Sequence, residues 1–304
     1  MGRQRSGQKS KPGQKVTGAM RIKIITDSAC DMPEELRTSY DIAVVPMHIQ
    51  KGDEDFLDMI EITPADVFEY GERTGRLCST VAPNIAEFSA AFARYSGAYD
   101  AVICISIGSR FSSCYQNASI AAEEYLNVYV IDSRNLSSGE ALIVLEAARL
   151  AQSGMAAEDI CTSLEKSVQH TDSSFLMSRL DYMKKGGRCS AVASLGANLL
   201  QLKPCIEVQN GKMQVWKKFR GSMEKALEQY IQERLSLYAP TQPLQVIMVF
   251  HPEDKFFLDG VRDALRANGR SVELWEASYG CTVACHCGPG TVGVMILSCE
   301  NKTD

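Results

Sequence analysis

The sequence predicts an α/β fold with two domains: an N-terminal three-layer α/β/α domain around a parallel sheet, and a C-terminal two-layer α+β domain around a mainly antiparallel sheet. Short apolar runs alternate with helix-period segments in the first half of the chain, and a hairpin followed by closely spaced strands appears in the second half. The length of 304 residues, 45% of them apolar, exceeds one typical domain. We place the boundary at residue 168, which gives domains at 20–168 and 169–304.

The N-terminal segment, residues 1–19, has five basic side chains and no acidic ones, and it is predicted to be a disordered basic leader or tag. Without it, 27 basic residues face 37 acidic ones, and this net charge of −10 argues against a nucleic-acid partner. No apolar run reaches the roughly 20 residues of a transmembrane segment. The 11 cysteines are scattered, which is typical of reduced thiols. We expect a cytoplasmic protein.

Three apolar runs in the first half each end in small polar residues and precede a helix-period segment. They are Ile22 to Ile25 before Thr26-Asp27-Ser28, Ala101 to Ile107 before Gly108-Ser109, and Val128 to Ile131 before Asp132-Ser133. This βα alternation predicts a Rossmann-like domain, with ligands at the carboxyl ends of the strands. We interpret Asp27, Ser28, Asp132 and Ser133 as residues that organise turns through bonds to the backbone.

The second half predicts neighbouring antiparallel strands. Two strand patterns, Cys205 to Val208 and Met213 to Trp216, flank an Asn210-Gly211 pair that is typical of a hairpin turn. Helical patterns near 222–237 and 254–268 alternate with strand patterns at 244–250, 271–277 and 291–297.

Two predicted helix starts follow hydroxyl residues, and the first N–H groups of a helix favour anions. Asn84 and Glu87 have capping-box spacing, which puts Thr80 in a loop just before a helix. Ser112 or Ser113 is the expected N-cap of a helix from Cys114 to Leu126. The alternative is that these hydroxyls do nothing but cap helices.

Arg188 follows an amphipathic turn and a glycine pair, and it precedes an apolar run containing Leu195, Leu199 and Leu200. A cation beside an apolar segment suits a ligand with an anionic head and an apolar body. Alternatively, Arg188 binds helix carbonyls or Asp181, and the leucines belong to an ordinary core.

Near the C-terminus, two patterns suggest sites that we do not expect. Cys281-x₃-Cys285-His286-Cys287 groups four metal-ligand types but lacks the paired C-x₂-C spacing of common zinc sites, so no metal is predicted. Gly288-x-Gly290-x-x-Gly293 matches a dinucleotide fingerprint, yet it precedes a strand pattern where a helix is required. No nucleotide cofactor is expected.

Four segments, in order, resemble those of the DegV family. Ile25 to Pro33 is similar to its T-D-S-x-x-D-L-P opening, with Met32 replacing Leu. Thr80 to Phe88 keeps Thr80, Pro83, Glu87 and Phe88, and Ile105 to Ala118 keeps Ser112, Tyr115, Gln116 and Ala118. His286 to Gly293 is similar to the H-T-G-P-G-x-x-G segment.

The resemblance implies a carrier that binds a long-chain fatty acid between the two domains. It implies that Thr80, Ser112, His286 and Arg188 hold the carboxylate, and Leu195, Leu199 and Leu200 are candidates for lining the acyl pocket. It also implies that a separate fatty acid kinase converts the presented acid to an acyl phosphate for phospholipid synthesis. The carrier itself would be no enzyme and would need no cofactor.

Two other functions compete with this one. Ser112 as nucleophile and His286 as base would make a serine-dependent acyl hydrolase or transferase. No G-x-S-x-G elbow or Walker-type phosphate loop is present in the sequence. A sensor of small anions or phosphometabolites, built on the two helix N-termini, is the third hypothesis.

Overall fold

The computed structural model describes residues 20–193, 202–266 and 270–298. The predicted leader at 1–19 and the predicted pocket residues Leu195, Leu199 and Leu200 lie outside these ranges. The strands are β1 (Ile22–Asp27), β2 (Ala43–Val45), β3 (His48–Lys51), β4 (Glu54–Leu57), β5 (Ser79–Val81), β6 (Ala101–Ser106), β7 (Val128–Asp132), β8 (Thr171–Met177), β9 (Leu202–Gln209), β10 (Lys212–Arg220), β11 (Leu244–Phe250), β12 (Val272–Ser278) and β13 (Thr291–Ser298). The helices are α1 (Glu34–Ser39), α2 (Pro64–Thr74), α3 (Ile85–Ser96), α4 (Cys114–Ala122), α5 (Ser137–Gln152), α6 (Ala157–His170), α7 (Asp181–Gly186), α8 (Ser190–Ala193), α9 (Met223–Leu235), α10 (Asp259–Arg266) and α11 (Cys281–Cys287).

The first sheet is parallel, with strand order β2-β1-β6-β7. Side chains alternate between its two faces because successive residues of a strand point in opposite directions. Ile25 and Val102 pack with α3 and α4 on one face, whereas Ile24 and Ile103 pack with α5 and α6 on the other. The predicted three-layer α/β/α arrangement is therefore confirmed.

The second sheet has the order β10-β9-β8-β13-β11-β12, and of these pairings only β11 with β12 is parallel. The hairpin of β9 and β10 turns at Asn210 and Gly211, both at positive φ, as their sequence predicts. Helices α9 and α10 cover the outer face. The mainly antiparallel α+β arrangement is confirmed.

Helix α5 lies between the two sheets and is buried from Ser137 to Leu145. Its apolar side chains share one core cluster with the inner faces of both sheets. The inner face of the second sheet is thus covered by helices that follow the first sheet in the chain. The domain boundary at residue 168 stays a prediction.

A third, antiparallel sheet with the order β4-β3-β5 lies in contact with helix α11. Thr80 belongs to β5 and pairs with Ile49 of β3, so its predicted position in a loop was wrong. The three-residue strand is too short for its alternation to be read from sequence. Strand β13 follows Gly290, which confirms the strand pattern predicted after these glycines.

Two predicted helices differ in their bounds. Helix α4 ends at Ala122, four residues before the predicted end at Leu126. The segment predicted as one helix near 254–268 is a 3₁₀ helix at Pro252–Phe257 followed by α10. None of the helices in the described ranges combines the length and the apolar character that crossing a membrane requires.

Candidate functional site

Helix α11 is held at its start by two buried carboxylates from the N-terminal half of the chain. Asp58 accepts hydrogen bonds from the Cys281 N–H at 2.9 Å, the Thr282 N–H at 3.2 Å and the Thr282 hydroxyl at 2.6 Å. Asp31 accepts from the Gly280 N–H at 2.7 Å. Carboxylates suit this place because the first N–H groups of a helix have no partners within it. These bonds fix a helix from the C-terminal half against the segments that follow β1 of the first sheet and β4 of the third sheet.

Asp31 has a second partner, because the Ser137 hydroxyl at the start of α5 donates to it. Burial raises the pKa of Asp31 to about 7, although the bonds from Ser137 and Gly280 oppose this rise. The carboxyl group therefore changes its charge near neutral pH. Sequence reasoning placed Asp31 in a motif without assigning it a role, and it missed Asp58 altogether.

His286 lies in the last turn of α11, and its Nε2 is 3.0 Å from the Thr80 hydroxyl. Burial, and then the positive charge of Arg188, lower the pKa of His286 to about 4. The imidazole is consequently neutral at physiological pH. Its other nitrogen, Nδ1, is buried and has no hydrogen-bond partner among the described residues.

Gly186 explains how this buried nitrogen is packed. A β-carbon at Gly186 would lie 2.4 Å from His286 Nδ1, which no side chain can do without displacing the ring. The glycine pair of the sequence therefore serves two purposes: Gly186 lets the α7 backbone approach the imidazole, and Gly187 ends α7 in a left-handed conformation.

Ser112 lies in the loop before α4. Its hydroxyl contacts the Cys114 thiol at 3.0 Å and accepts from the Cys114 N–H at 3.4 Å. Ser113 occupies the N-cap position without making a side-chain capping bond. Of the two expected caps, Ser112 is thus the one whose hydroxyl reaches the start of the helix.

Arg188 follows α7 and donates to the Gly186 carbonyl at 2.9 Å. This is the helix-terminal contact that the sequence offered as an alternative. The other suggested partner, Asp181, is bound instead by Arg179 at 2.7 Å. The Arg188 side chain is exposed, and its charge acts on His286.

One cavity of about 250 Å³ brings the four predicted carboxylate-binding residues together. Thr80, Ser112, Arg188 and His286 all line it, although more than 200 residues separate the first from the last. Its other lining residues are mainly apolar, and they include Met47, Ile107, Phe111, Leu136, Met213 and Val283. The cavity thus combines a cluster of hydrogen-bond donors with an apolar wall.

Neither a metal site nor a second polar cavity offers an equal candidate. In the described ranges, no group of three or more His, Cys, Asp or Glu side chains can hold a metal ion. A cavity of about 320 Å³ lies beside Asp172, His170 and Arg134. The Asp172 carboxylate beside this cavity is already bound by Arg234 and by the Tyr238 hydroxyl at 2.8 Å, so its hydrogen bonds stabilise the fold.

Asp27, Asp132 and Ser133 organise turns at the ends of the parallel strands, as predicted. The prediction was wrong for Ser28, whose hydroxyl accepts from the Met47 N–H at 2.9 Å and donates to Asp58 at 3.1 Å, both distant in the chain. Asp27 accepts from the Ala29 N–H at 3.1 Å and from the Ile107 N–H at 2.9 Å, which joins the ends of β1 and β6. Asp132 likewise accepts from the Arg134 N–H at 2.9 Å. None of these strand-end side chains lines the cavity.

Comparison with known proteins gives the family. A family model described as "Uncharacterised protein, DegV family" matches residues 21–298. A DegV domain-containing protein of Clostridium perfringens is 34% identical over 271 residues, which are 88% of this chain and 95% of that protein. A protein of Thermotoga maritima named fatty acid-binding protein is 28% identical over 290 residues, covering 93% of this chain and all of that protein.

A solved structure agrees with this assignment. The crystal structure described as fatty acid binding of a DegV family protein from Thermus thermophilus superposes with a TM-score of 0.86 and 27% identity, over 92% of this chain and 100% of the other. The chain therefore belongs to the DegV family.

Proposed function

We propose that this protein binds a long-chain fatty acid in the cavity and presents its carboxyl group to a separate fatty acid kinase. The observation that carries the proposal is the convergence of Thr80, Ser112, Arg188 and His286 on one apolar-walled cavity. The names of the relatives from Thermotoga maritima and Thermus thermophilus, which refer to fatty acid binding, support it.

The head of the ligand would meet hydrogen-bond donors of two kinds. A neutral His286 that keeps its hydrogen on Nε2 donates to Thr80 Oγ, which leaves the Thr80 hydroxyl hydrogen free for a carboxylate oxygen. The opposite tautomer would bury an N–H at Nδ1 without an acceptor, at a cost of about 1–3 kcal/mol. The guanidinium of Arg188 would supply the countercharge, and each charge-assisted bond contributes roughly 1.5–3 kcal/mol.

The acyl chain would lie against the apolar wall of Met47, Ile107, Phe111, Leu136 and Met213. Each methylene group that leaves water contributes about 0.8 kcal/mol. For a long chain, this contribution sets the affinity, and the polar contacts set the orientation of the carboxyl group. Leu195, Leu199 and Leu200 remain candidates for extending this wall.

The kinase and the cytoplasmic location are part of the proposal. The cavity supplies donors for an anion and apolar side chains for a chain, but phosphoryl transfer also requires a nucleotide site, and no Walker-type loop is present in the sequence. A partner that binds ATP would supply the nucleotide site that phosphoryl transfer requires, while this protein supplies the site for the fatty acid. We infer that the product is an acyl phosphate used in phospholipid synthesis.

The hydrolase hypothesis receives less support from the hydrogen bonds. His286 Nε2 is bonded to Thr80, and Ser112 is bonded to Cys114. In the part of the chain that the structure describes, no carboxylate orients His286 through Nδ1. A catalytic base needs such a partner to hold its tautomer and to stabilise the imidazolium that forms.

The test is denaturing extraction of the purified protein, followed by mass spectrometry of the organic phase. We expect near-stoichiometric fatty acid in the wild type and a lower content in Ser112→Ala and Arg188→Gln. Each variant should bind the fatty acid with an affinity at least tenfold lower, because about 1.4 kcal/mol of lost interaction is tenfold in affinity. Ser119→Ala and Arg179→Gln are matched controls, since both side chains bond elsewhere. A wild-type protein that is empty and also fails to take up added oleate would overturn the proposal.

Two further assays separate the kinase and hydrolase functions. With purified fatty acid kinase and ATP, the loaded protein should give an acyl phosphate that hydroxylamine traps as a hydroxamate. Hydrolysis of p-nitrophenyl palmitate by the protein alone, abolished by Ser112→Ala, would instead identify a hydrolase.

A further inference from the structure

His48 on β3 lies between two carboxylates from other elements. Its Nδ1 is 2.7 Å from Asp55 Oδ2 on β4, and its Nε2 is 2.8 Å from Glu87 Oε1 on α3. An ionised carboxylate only accepts hydrogen bonds, and a neutral imidazole has a single N–H to donate. Both contacts are therefore hydrogen bonds only when His48 is an imidazolium with two N–H groups. His286, by contrast, is neutral in the fold.

Glu87 connects His48 to the start of helix α3. Its second carboxylate oxygen accepts from the Asn84 N–H at 2.7 Å, and its own N–H donates to the Asn84 side chain at 3.1 Å. These two bonds are the capping box that begins α3. One carboxylate thus joins β3 to the residue at which the loop after β5 becomes a helix.

Strand pairing ties His48 to the other end of the same loop. His48 pairs with Val81, the last residue of β5. Residues 80–84 are therefore held from His48 at both ends, by backbone pairing at Val81 and through Glu87 at Asn84. We call residues 80–84 the cavity segment, because its first three residues line the candidate ligand cavity.

We propose that the His48 imidazolium is a positioning residue for the ligand cavity: it binds Asp55 and Glu87 together, as a clamp, and thereby holds the cavity segment in place. Its effect on a ligand rests on the proposed function. The clamp acts through Thr80 of the cavity segment, whose hydroxyl lies 3.0 Å from His286 Nε2. Loss of the bond to Glu87 would release the α3 end of this segment.

The clamp depends on pH because it requires the second proton of His48. Burial opposes this proton, but the hydrogen bonds to Asp55 and Glu87, and the charges of both groups, raise the pKa of His48 above its ordinary value of 6.5. Within the described ranges, these two carboxylates are the charges that act on the imidazole from β4 and α3, and β5 presents the apolar Val81. The clamp is therefore fully formed below pH 6.5 and is lost as the pH rises through the raised pKa.

The expected effect is small because the carboxylates are partly exposed. The side chain of His48 is 20% exposed, against 53% for Asp55 and 35% for Glu87. Ion pairs of this kind change an equilibrium by about two- to fivefold. We therefore expect the affinity for oleate to be about two- to fivefold higher when His48 is protonated. Because coupling is reciprocal, oleate should raise the pKa of His48 by roughly 0.3–0.7.

NMR titration of the histidine ring C–H signals tests the clamp and its effect on the cavity. Wild-type protein is delipidated and titrated on both sides of neutral pH, with and without oleate. The signal of His48, one of four histidines, is the one that disappears in His48→Gln. We expect His48 to titrate above pH 6.5 in the empty protein and at a higher pH in the loaded protein. Asp55→Asn should lower both values, because it removes one charge without touching the capping box of α3.

Oleate affinity, measured by displacement of a fluorescent fatty acid, is the second readout. Between pH 6.5 and a pH above the His48 titration, wild type should lose about two- to fivefold in affinity. His48→Gln should lose less, since its amide does not titrate. His170→Gln is the matched control, because His170 is a partly buried histidine at the end of α6 that does not line the cavity, and this variant should keep the wild-type pH dependence.

The outcomes separate the clamp from the proposed function. A His48 pKa at or below 6.5 in the empty protein would show that the clamp does not form, and the proposal would be wrong. A raised pKa that oleate leaves unchanged would refute the positioning role. Protein that binds no oleate at any pH would refute the proposed function and with it the effect on the ligand, and the titration of the empty protein would still decide whether the clamp exists.

Discussion

Acidification tests whether His286 is a neutral, buried hydrogen-bond partner, as the cavity requires. The pKa of His286 is about 4 in the folded protein because of burial and the nearby charge of Arg188. In the unfolded chain, an imidazole has a pKa of about 6.5. Protons therefore bind the unfolded state more readily between these two values, and folding loses free energy as the pH falls through this range.

The magnitude follows from the two pKa values. The contribution of the neutral imidazole to the free energy of unfolding is fully present above pH 6.5 and fully lost below pH 4. The difference of about 2.5 units corresponds to about 3 kcal/mol at most. At pH 5, most of it has already gone, and the wild type should be roughly 2 kcal/mol less stable on this account than at pH 8.

Urea denaturation at pH 8 and pH 5 measures this loss when wild type is compared with His286→Gln. The glutamine amide can still reach Thr80 but does not titrate. Asp31, whose pKa is raised to about 7, contributes in the opposite direction, because its folded state favours the proton and gains stability as the pH falls. That contribution is present in both proteins and cancels. If wild type and His286→Gln lose equal stability between pH 8 and pH 5, the imidazole is not held neutral by the fold.

Other perturbations test the surroundings of this ring. Arg188→Gln removes the nearby positive charge and should raise the pKa of His286 toward its usual value, as followed by NMR titration of the ring C–H. Gly186→Ala places a methyl group 2.4 Å from the ring and should empty the cavity of extractable fatty acid, whereas Gly97→Ala, with open space around it, should not. Asp58→Ala removes one of the two carboxylates at the start of α11 and should lower the free energy of unfolding in urea by about 3–9 kcal/mol, at roughly 1–3 kcal/mol for each of the three lost bonds.

Elements whose sequences carry a local physical signal were predictable. The capping box of Asn84 and Glu87 is present at the start of α3, because both of its bonds form between neighbours in the chain. The Asn210-Gly211 turn also follows from local geometry. In β11, every residue from Val246 to Phe250 is buried, since the strand is covered by α5 on one face and α9 on the other.

The parts of the site that sequence reasoning missed depend on contacts between distant segments. Asp58 follows a four-residue strand and meets helix α11 more than 220 residues later, so no spacing in the sequence reveals their pairing. Met47 and Phe111 line the cavity, but each reads as an ordinary core residue in its own segment. The four polar residues were predicted as one site because the family resemblance groups residues that meet in the folded structure. Periodicity describes only residues that are close in the chain.

The charge of the cavity wall argues for a carboxylate ligand over a phosphate ligand. Among the described lining residues, Arg188 is the one side chain with a full charge at neutral pH, because His286 is neutral. A carboxylate brings one negative charge, so its complex with Arg188 has no net charge beside the largely apolar wall. A phosphate monoester brings nearly two, and the excess charge would have to be desolvated without a partner. A sensor of phosphometabolites would need a second cation at this wall, whereas a fatty acid needs the apolar side chains that are present.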